Sequence, residues 1–242
     1  MAKVREAGTL GVQALLFDTY GTVVDWREGV LAALLALGRA RGLGVDWEAF
    51  LADWNARPIL DRVNSGEMPW MTMESIHRQT LEEPLTRYRI TGLTDREIDQ
   101  LVHARWRLRP WPDAVPGLTR LKQRYVISPL SNASFIGMVR LAKFAGLPWD
   151  CVITAENARC YKPRPEVYRT ALSLLGLRAD QVMMVAAHNY DLRAAQDEGL
   201  RTAFVPRPTE YGPGQSTDLT PEGTWDIVAG SFLALADDLG AE

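Results

Sequence analysis

The chain has 242 residues, 47% of them hydrophobic and 24% charged, with a formal net charge of -3. These proportions suit a globular chain with a sizeable core and exclude disorder, collagen-like repeats and a disulfide-stapled miniprotein. Lys plus Arg (27) nearly balances Asp plus Glu (30), so no basic field recruits nucleic acid, and the two cysteines, Cys151 and Cys160, form no CxxC and have no His at metal-ligand spacing.

Along the chain, Met1 to Thr9 carries charges and leads into a strand pattern, so it does not read as a signal peptide. Val12 to Phe17 is a short, nearly continuous apolar run, as expected of a strand buried on both faces of a parallel sheet. Roughly a hundred residues then pass before the next such run, where a crossover needs only about a dozen or more. That interval reads as helices: Asp25 to Arg41, Asp46 to Asn64, Met71 to Glu82 and Thr94 to Trp106. Its longest apolar stretch, Val30 to Leu37, is far too short to span a bilayer. Strand patterns resume at Tyr125 to Leu130, Cys151 to Thr154, Val182 to Ala187 and Arg201 to Val205, with helical stripes between them. Pro206 to Thr224 reads as a long loop, and Trp225 to Val228 and Phe232 to Leu239 as a last strand and helix. The expected architecture is a doubly wound, Rossmann-like α/β core with a helical cap inserted after strand one: residues 1–23 and 111–242 in the core, 24–110 in the cap. The balance of charge and sparse cysteine suggest a cytoplasmic enzyme without nucleic-acid or membrane partners.

Ligands in such folds bind at the carboxyl ends of the strands. Four of the expected ends carry polar residues: Asp18-Thr19-Tyr20-Gly21-Thr22, then Ser131-Asn132, then Lys162-Pro163, then His188-Asn189-Tyr190-Asp191. Each has a bland reading. Asp18 could be a turn residue, Ser131 and Asn132 could cap a helix, Lys162 could be a solvated charge, and Asp191 could sit at a helix start for dipole reasons. All four, in this order, are harder to dismiss.

The constellation resembles the haloacid dehalogenase superfamily, whose motifs are a nucleophilic Asp, a Ser or Thr, a Lys and a terminal acidic motif. Most of its members are phosphatases reading D-x-D-x-T, in which the second Asp protonates the leaving alcohol and a Gly-Asp pair begins a magnesium site. Here Tyr20 replaces that acid and Ala186-Ala187 replaces that pair. The D-x-Y-G-T form is similar to the L-specific 2-haloacid dehalogenases. Halide, fluoride excepted, is the anion of a strong acid and, unlike an alkoxide, needs no general acid to depart, so the missing residues and this chemistry agree.

The resemblance implies that Asp18 displaces halide from a short 2-haloalkanoate and forms an ester that water hydrolyses, without metal or cofactor. Lys162 would neutralise the nucleophile and the substrate carboxylate. Ser131 and the backbone after strand one, at Thr19 and Tyr20, would hold that carboxylate, with Thr22 bonding Asp18. Asn132 would face the halide, Asp191 would orient or activate water, and Tyr168 matches a tyrosine of the family's K-P-x-x-x-V-Y stretch. Relatives of this type are often homodimers. A magnesium-dependent phosphatase and a catalytically silent binding domain are the alternatives.

Two departures leave roles open. The fourth motif has Ala186 and His188 where the L-specific enzymes show Ser and Asn, so His188 is either an orienter of Asp191, a pocket wall or a helix cap. The family's cap arginine, which grips halide, aligns with Asn55, while Arg57 lies two residues on. If Asp53 to Leu60 is helical, Trp54, Asn55 and Arg57 cannot share one face. Register favours Asn55 and charge favours Arg57.

Overall fold

The apolar run at the start of the core becomes β1 (Ala14–Phe17), all four of whose side chains are buried. The computed structural model describes residues 11–54 and 56–241. β1 lies between β4 (Val126–Ser131) and β6 (Val182–Ala186) in a parallel sheet completed by β5 (Ile153–Thr154), β7 (Arg201–Phe204) and β8 (Ile227–Val228), in the order β5-β4-β1-β6-β7-β8. Leu15 pairs in register with Ile127 on one side and Met183 on the other.

Both faces of the sheet are covered, which explains the continuous rather than alternating hydrophobicity. Leu15, Phe17, Met183 and Val185 enter one apolar cluster, with Leu118 of α6 (Ala114–Lys122), Met138 of α7 (Phe135–Ala145) and Phe232 of α11 (Phe232–Asp238). Ala14, Leu16, Met184 and Ala186 point the other way, against Val167 and Tyr168 of α9 (Pro165–Leu175) and Leu192 of α10 (Asn189–Asp197).

The cap departs from the core and returns through an antiparallel ribbon, β2 (Val24–Asp25) against β3 (Arg109–Pro110). Between them run α1 (Trp26–Arg41), α2 (Trp47–Asp53), α3 (Arg57–Ser65), α4 (Met73–Arg87), α5 (Asp95–Val102) and a 3₁₀ turn, His103–Trp106. Asp25, Asp46 and Thr72 accept from the backbone N–H three residues on, and Thr94 and Glu97 form a reciprocal capping box. The helix expected over 46–64 is two helices, not one. Pro58 falls in the first turn of α3, where its ring would strike the carbonyl of residue 54 in a continuous helix. Trp54 leaves the helix at φ -80°, ψ 70°, and its indole Nε1 donates to the His77 carbonyl at 2.9 Å. Trp54 and Arg57 therefore lie on either side of a helix break rather than around one helix. α4 runs five residues beyond the expected Glu82, through a buried Pro84.

The cap is fastened to the core near the lysine loop. The Asn64 amide donates to the Tyr161 carbonyl (3.0 Å) and accepts from its N–H (2.8 Å), and the Tyr161 hydroxyl donates to the Met71 carbonyl at 2.6 Å. Trp70 stacks on the Tyr161 ring. Glu74 of α4 accepts from Ser134 Oγ at 2.5 Å. Among the described residues no helix is long and apolar enough to cross a membrane.

Candidate active site

Asp18 leaves the sheet at the carboxyl end of β1, its N–H donating to the Val185 carbonyl of β6 at 3.0 Å. The next strand ends bring Ser131, Lys162, His188 and Asp191 to the same place, as the sequence motifs require. Asp18 is 6% exposed, Lys162 5%, His188 5% and Asp191 0%, so the charges must satisfy one another.

Lys162 Nζ donates to Asp18 Oδ1 at 2.8 Å and to Asp191 Oδ2 at 2.5 Å. Tyr168 reaches from α9 to donate to Asp191 Oδ1 at 2.6 Å, so both oxygens of Asp191 are engaged. Thr22 donates to Asp18 Oδ2 at 2.7 Å, and its hydroxyl accepts from the Ala187 N–H at 2.9 Å. Burial alone would raise the Asp18 carboxyl, but the nearby Lys162 and His188 outweigh it and hold the group well below the usual carboxylate range. Asp191 goes the other way. Burial, helped by the negative charge of Asp18, raises its pKa despite Lys162. Burial pulls Lys162 down, yet the two carboxylates more than compensate and keep it an ammonium.

The lysine is aimed by its neighbours. Asn132 does not cap a helix; its Oδ1 accepts the Lys162 N–H at 2.8 Å, which leaves the amide NH₂ as its donor end. Ser131 is likewise no cap, its Oγ accepting from the Ala133 N–H at 3.2 Å, and Ser134 caps α7 instead. The Thr19 hydroxyl is buried beside the nucleophile without a hydrogen-bond partner among the described residues.

His188 occupies the cap position of α10 but makes no side-chain cap bond there. Its Nδ1 lies 3.0 Å from Asp18 Oδ2, and its Nε2 lies 2.9 and 3.1 Å from the two oxygens of Glu210. Glu210, 2% exposed, comes from the loop after β7, which sequence patterning marks only as irregular. Trp26 Nε1 also donates to it at 2.9 Å. The one local trace of Glu210 is Gly21: at φ +87° it favours glycine, and a Cβ there would lie 2.0 Å from Glu210 Oε1.

The cap candidates separate. Asn55 lies outside the described residues. Arg57 begins α3 with its side chain 62% exposed, 3.4 Å from Asp61, its guanidinium 5.8 Å from the Tyr190 ring. Tyr190 in turn stacks on His188, which sets Arg57 at the rim of the site. A second guanidinium, Arg105, is only 7% exposed, stacks 4.2 Å over the Trp54 ring, and has an Nη1 without a partner among the described residues. Burial lowers its pKa to about 10, against the opposing influence of Tyr20 and Glu74, so it keeps its charge. Nothing in the local sequence sets Arg105 apart from other arginines.

The residues do not fit a magnesium ion. Lysine, histidine and hydroxyl donors already occupy the oxygens of Asp18 and Asp191, and Ala187 supplies no carboxylate. Among the described residues no group of three or more His, Cys, Asp or Glu is placed to hold a metal.

A family model for haloacid dehalogenase-like hydrolases matches residues 12–199. A defluorinating L-2-haloacid dehalogenase of known structure is 45% identical and superposes with a TM-score of 0.92, covering 95% of this chain and 96% of its own. Another L-2-haloacid dehalogenase structure is 41% identical, with a TM-score of 0.88 over 94% of this chain and 99% of its own. (S)-2-haloacid dehalogenase 4A of Burkholderia cepacia is 29% identical over 83% of this chain and 87% of its own length. By motif order, sheet topology and similarity across most of its length, the chain belongs to the haloacid dehalogenase-like hydrolases.

Proposed function

We propose that the protein hydrolyses the carbon–halogen bond of short 2-haloalkanoates, haloacetates and 2-halopropionates among them, giving 2-hydroxy acids through an ester on Asp18. The observation that carries this reading is a buried, ionised Asp18 between Lys162 and His188, with a tyrosine where a phosphatase holds its acid. Asp18 Oδ1 accepts one hydrogen bond and Oδ2 accepts two, so Oδ1 is the oxygen with a lone pair to give. It attacks the halogen-bearing carbon, the carbon–halogen bond breaks, and halide leaves with the bonding pair.

Ser131, the unpartnered Thr19 hydroxyl and the backbone at Tyr20 receive the substrate carboxylate, and the buried Arg105 supplies positive charge to the pocket. The NH₂ end of Asn132 faces the departing halide. Arg57 stands at the rim over Tyr190. In the second half-reaction Asp191, the more basic of the two aspartates, takes the proton of the attacking water. Because relatives are an (S)-2-haloacid dehalogenase and a defluorinating L-2-haloacid dehalogenase, (S)-2-chloropropionate and fluoroacetate are chosen as representative substrates to assay.

The test is halide release from monochloroacetate, fluoroacetate and (S)-2-chloropropionate in excess EDTA, beside phosphate release from simple esters with magnesium. Halide release indifferent to EDTA is expected. Activity confined to phosphate esters and dependent on magnesium refutes the proposal.

A further inference from the structure

His188 is bonded at both ring nitrogens to carboxylate oxygens, Asp18 Oδ2 at 3.0 Å and Glu210 Oε2 at 2.9 Å. The Tyr211 hydroxyl lies a further 3.3 Å from Nε2, and a ring that donates to a carboxylate oxygen at each nitrogen carries a proton on both. Burial alone would drive that proton off, but the bonds to Asp18 and Glu210 hold it, and His188 stays an imidazolium well above the ordinary histidine range. Glu210 is itself fixed. Trp26 Nε1 donates to it, and it lies so close to Gly21 that any larger residue there would displace it. In the dehalogenation step this charge helps Lys162 keep Asp18 ionised, but at a cost. An imidazolium on the nucleophile's second oxygen withdraws electron density and makes Asp18 a poorer nucleophile.

The reverse holds once Asp18 is esterified. Oδ1 then bridges to the substrate carbon, and Oδ2 is the carbonyl oxygen of the ester, with the His188 Nδ1–H and the Thr22 hydroxyl (2.7 Å) aimed at it. We infer that His188, charged and held by Glu210, forms with Thr22 the oxyanion site for hydrolysis of the Asp18 ester; the inference rests on the dehalogenase reading above.

Water adds to Asp18 Cγ and the carbonyl π pair moves onto Oδ2, where the two donors receive it. The water proton passes to Asp191. The pair on Oδ2 re-forms the carbonyl, the Cγ–Oδ1 bond breaks, and Oδ1 leaves as the product hydroxyl with the proton from Asp191. The second proton of the water goes to solvent, and its oxygen stays in the Asp18 carboxylate. The donors stand in place before the charge develops, so no reorganisation is needed when it does. His188 is on this account a catalytic residue, and Glu210 is a positioning residue that keeps it protonated.

The experiment is rapid-quench halide release with intact-protein mass spectrometry, using monochloroacetate and wild-type, His188→Ala, His188→Asn and Glu210→Gln proteins. Losing one oxyanion donor costs about 10²–10³ in rate, so His188→Ala should release one halide per active site in a burst, accumulate a covalent adduct, and turn over about 10²–10³-fold more slowly. His188→Asn, which keeps a neutral donor, should fall between. Glu210→Gln should turn over more slowly than wild type and move the alkaline limb of the turnover–pH profile to lower pH, because the ring then deprotonates at a lower pH. A bound ring with a purely packing role would move no pH profile. A His188→Asn protein that turns over at the wild-type rate, or a His188→Ala protein that loses its halide burst, overturns the assignment. Absence of halide release from the wild type on any 2-haloacid instead overturns the dehalogenase reading itself.

Discussion

Replacing Lys162 with methionine removes the ammonium that Asp18 and Asp191 share and puts in its place an unbranched chain without charge. The lost contacts are 2.8 and 2.5 Å long and buried on every side. At an effective dielectric of about 20, a unit charge at 2.8 Å is worth about 6 kcal/mol before desolvation is counted. Breaking a buried pair by removing one partner costs about 3–5 kcal/mol net, because a bare charge is left behind. For a chain of this size that is a fall in Tm of about 6–20 °C at neutral pH. The pH dependence gives a sharper test. In the wild type, Asp18 has a depressed folded pKa, so its contribution is present above the unfolded carboxylate value and lost as pH falls toward the folded one. Without Lys162, Asp18 still has His188, but Asp191 keeps no cation and burial and Asp18 raise it further, so the folded protein holds a proton that the unfolded chain has released. Stability of the variant is then highest at low pH and is lost as pH rises through the raised folded value. Thermal melts followed by circular dichroism at pH 5 and pH 8 should show a gap from wild type that widens with pH, with no halide release at either. A gap that stays within about 2 °C, or that fails to widen, would refute the assignment of Lys162 as the shared counter-ion.

Asp18→Asn should abolish turnover, and a single turnover of excess wild-type enzyme in heavy-oxygen water should place the label on Asp18; label in the first product would mean that water attacks the substrate directly. Asp191→Asn should slow ester hydrolysis more than displacement, so that an Asp18 adduct is seen by mass spectrometry, and loss of activity without adduct would assign Asp191 to the first step. Arg105→Gln should lower halide release at least tenfold, about 1.4 kcal/mol of transition-state stabilisation, with Arg57→Ala milder; the opposite ranking in steady-state assays would move the working cation from the buried pocket to the rim.

Much of the core could be read because buried parallel strands leave continuous apolar runs and polar residues follow directly at their ends. Asp18, Lys162 and Asp191 are legible for that reason, and the structure brings these three together. Cap helices are legible by periodicity, and Pro58 is the sequence signal of the break between α2 and α3. The ribbon of β2 and β3 has two residues a side, too few to show any period. Glu210 lies in a loop without periodicity, nearly two hundred residues from Asp18, and its only sequence trace is a glycine that could serve any turn. Arg105 is hidden differently: burial of a guanidinium depends on what packs over it, here Trp54, which no local pattern encodes.

The peptide unit joining Tyr161 to Lys162 is gripped at both edges. Its carbonyl receives the Asn64 amide from the cap, and its N–H is taken by Asn132 of the core. The plane from which the lysine side chain springs is thus finished by a residue of the helical insertion between β1 and β4. An exchange of caps between relatives, or an attempt to express the sheet domain alone, would leave that carbonyl to solvent and the ammonium without its bearing. A transplanted cap has to bring an amide at position 64 with it.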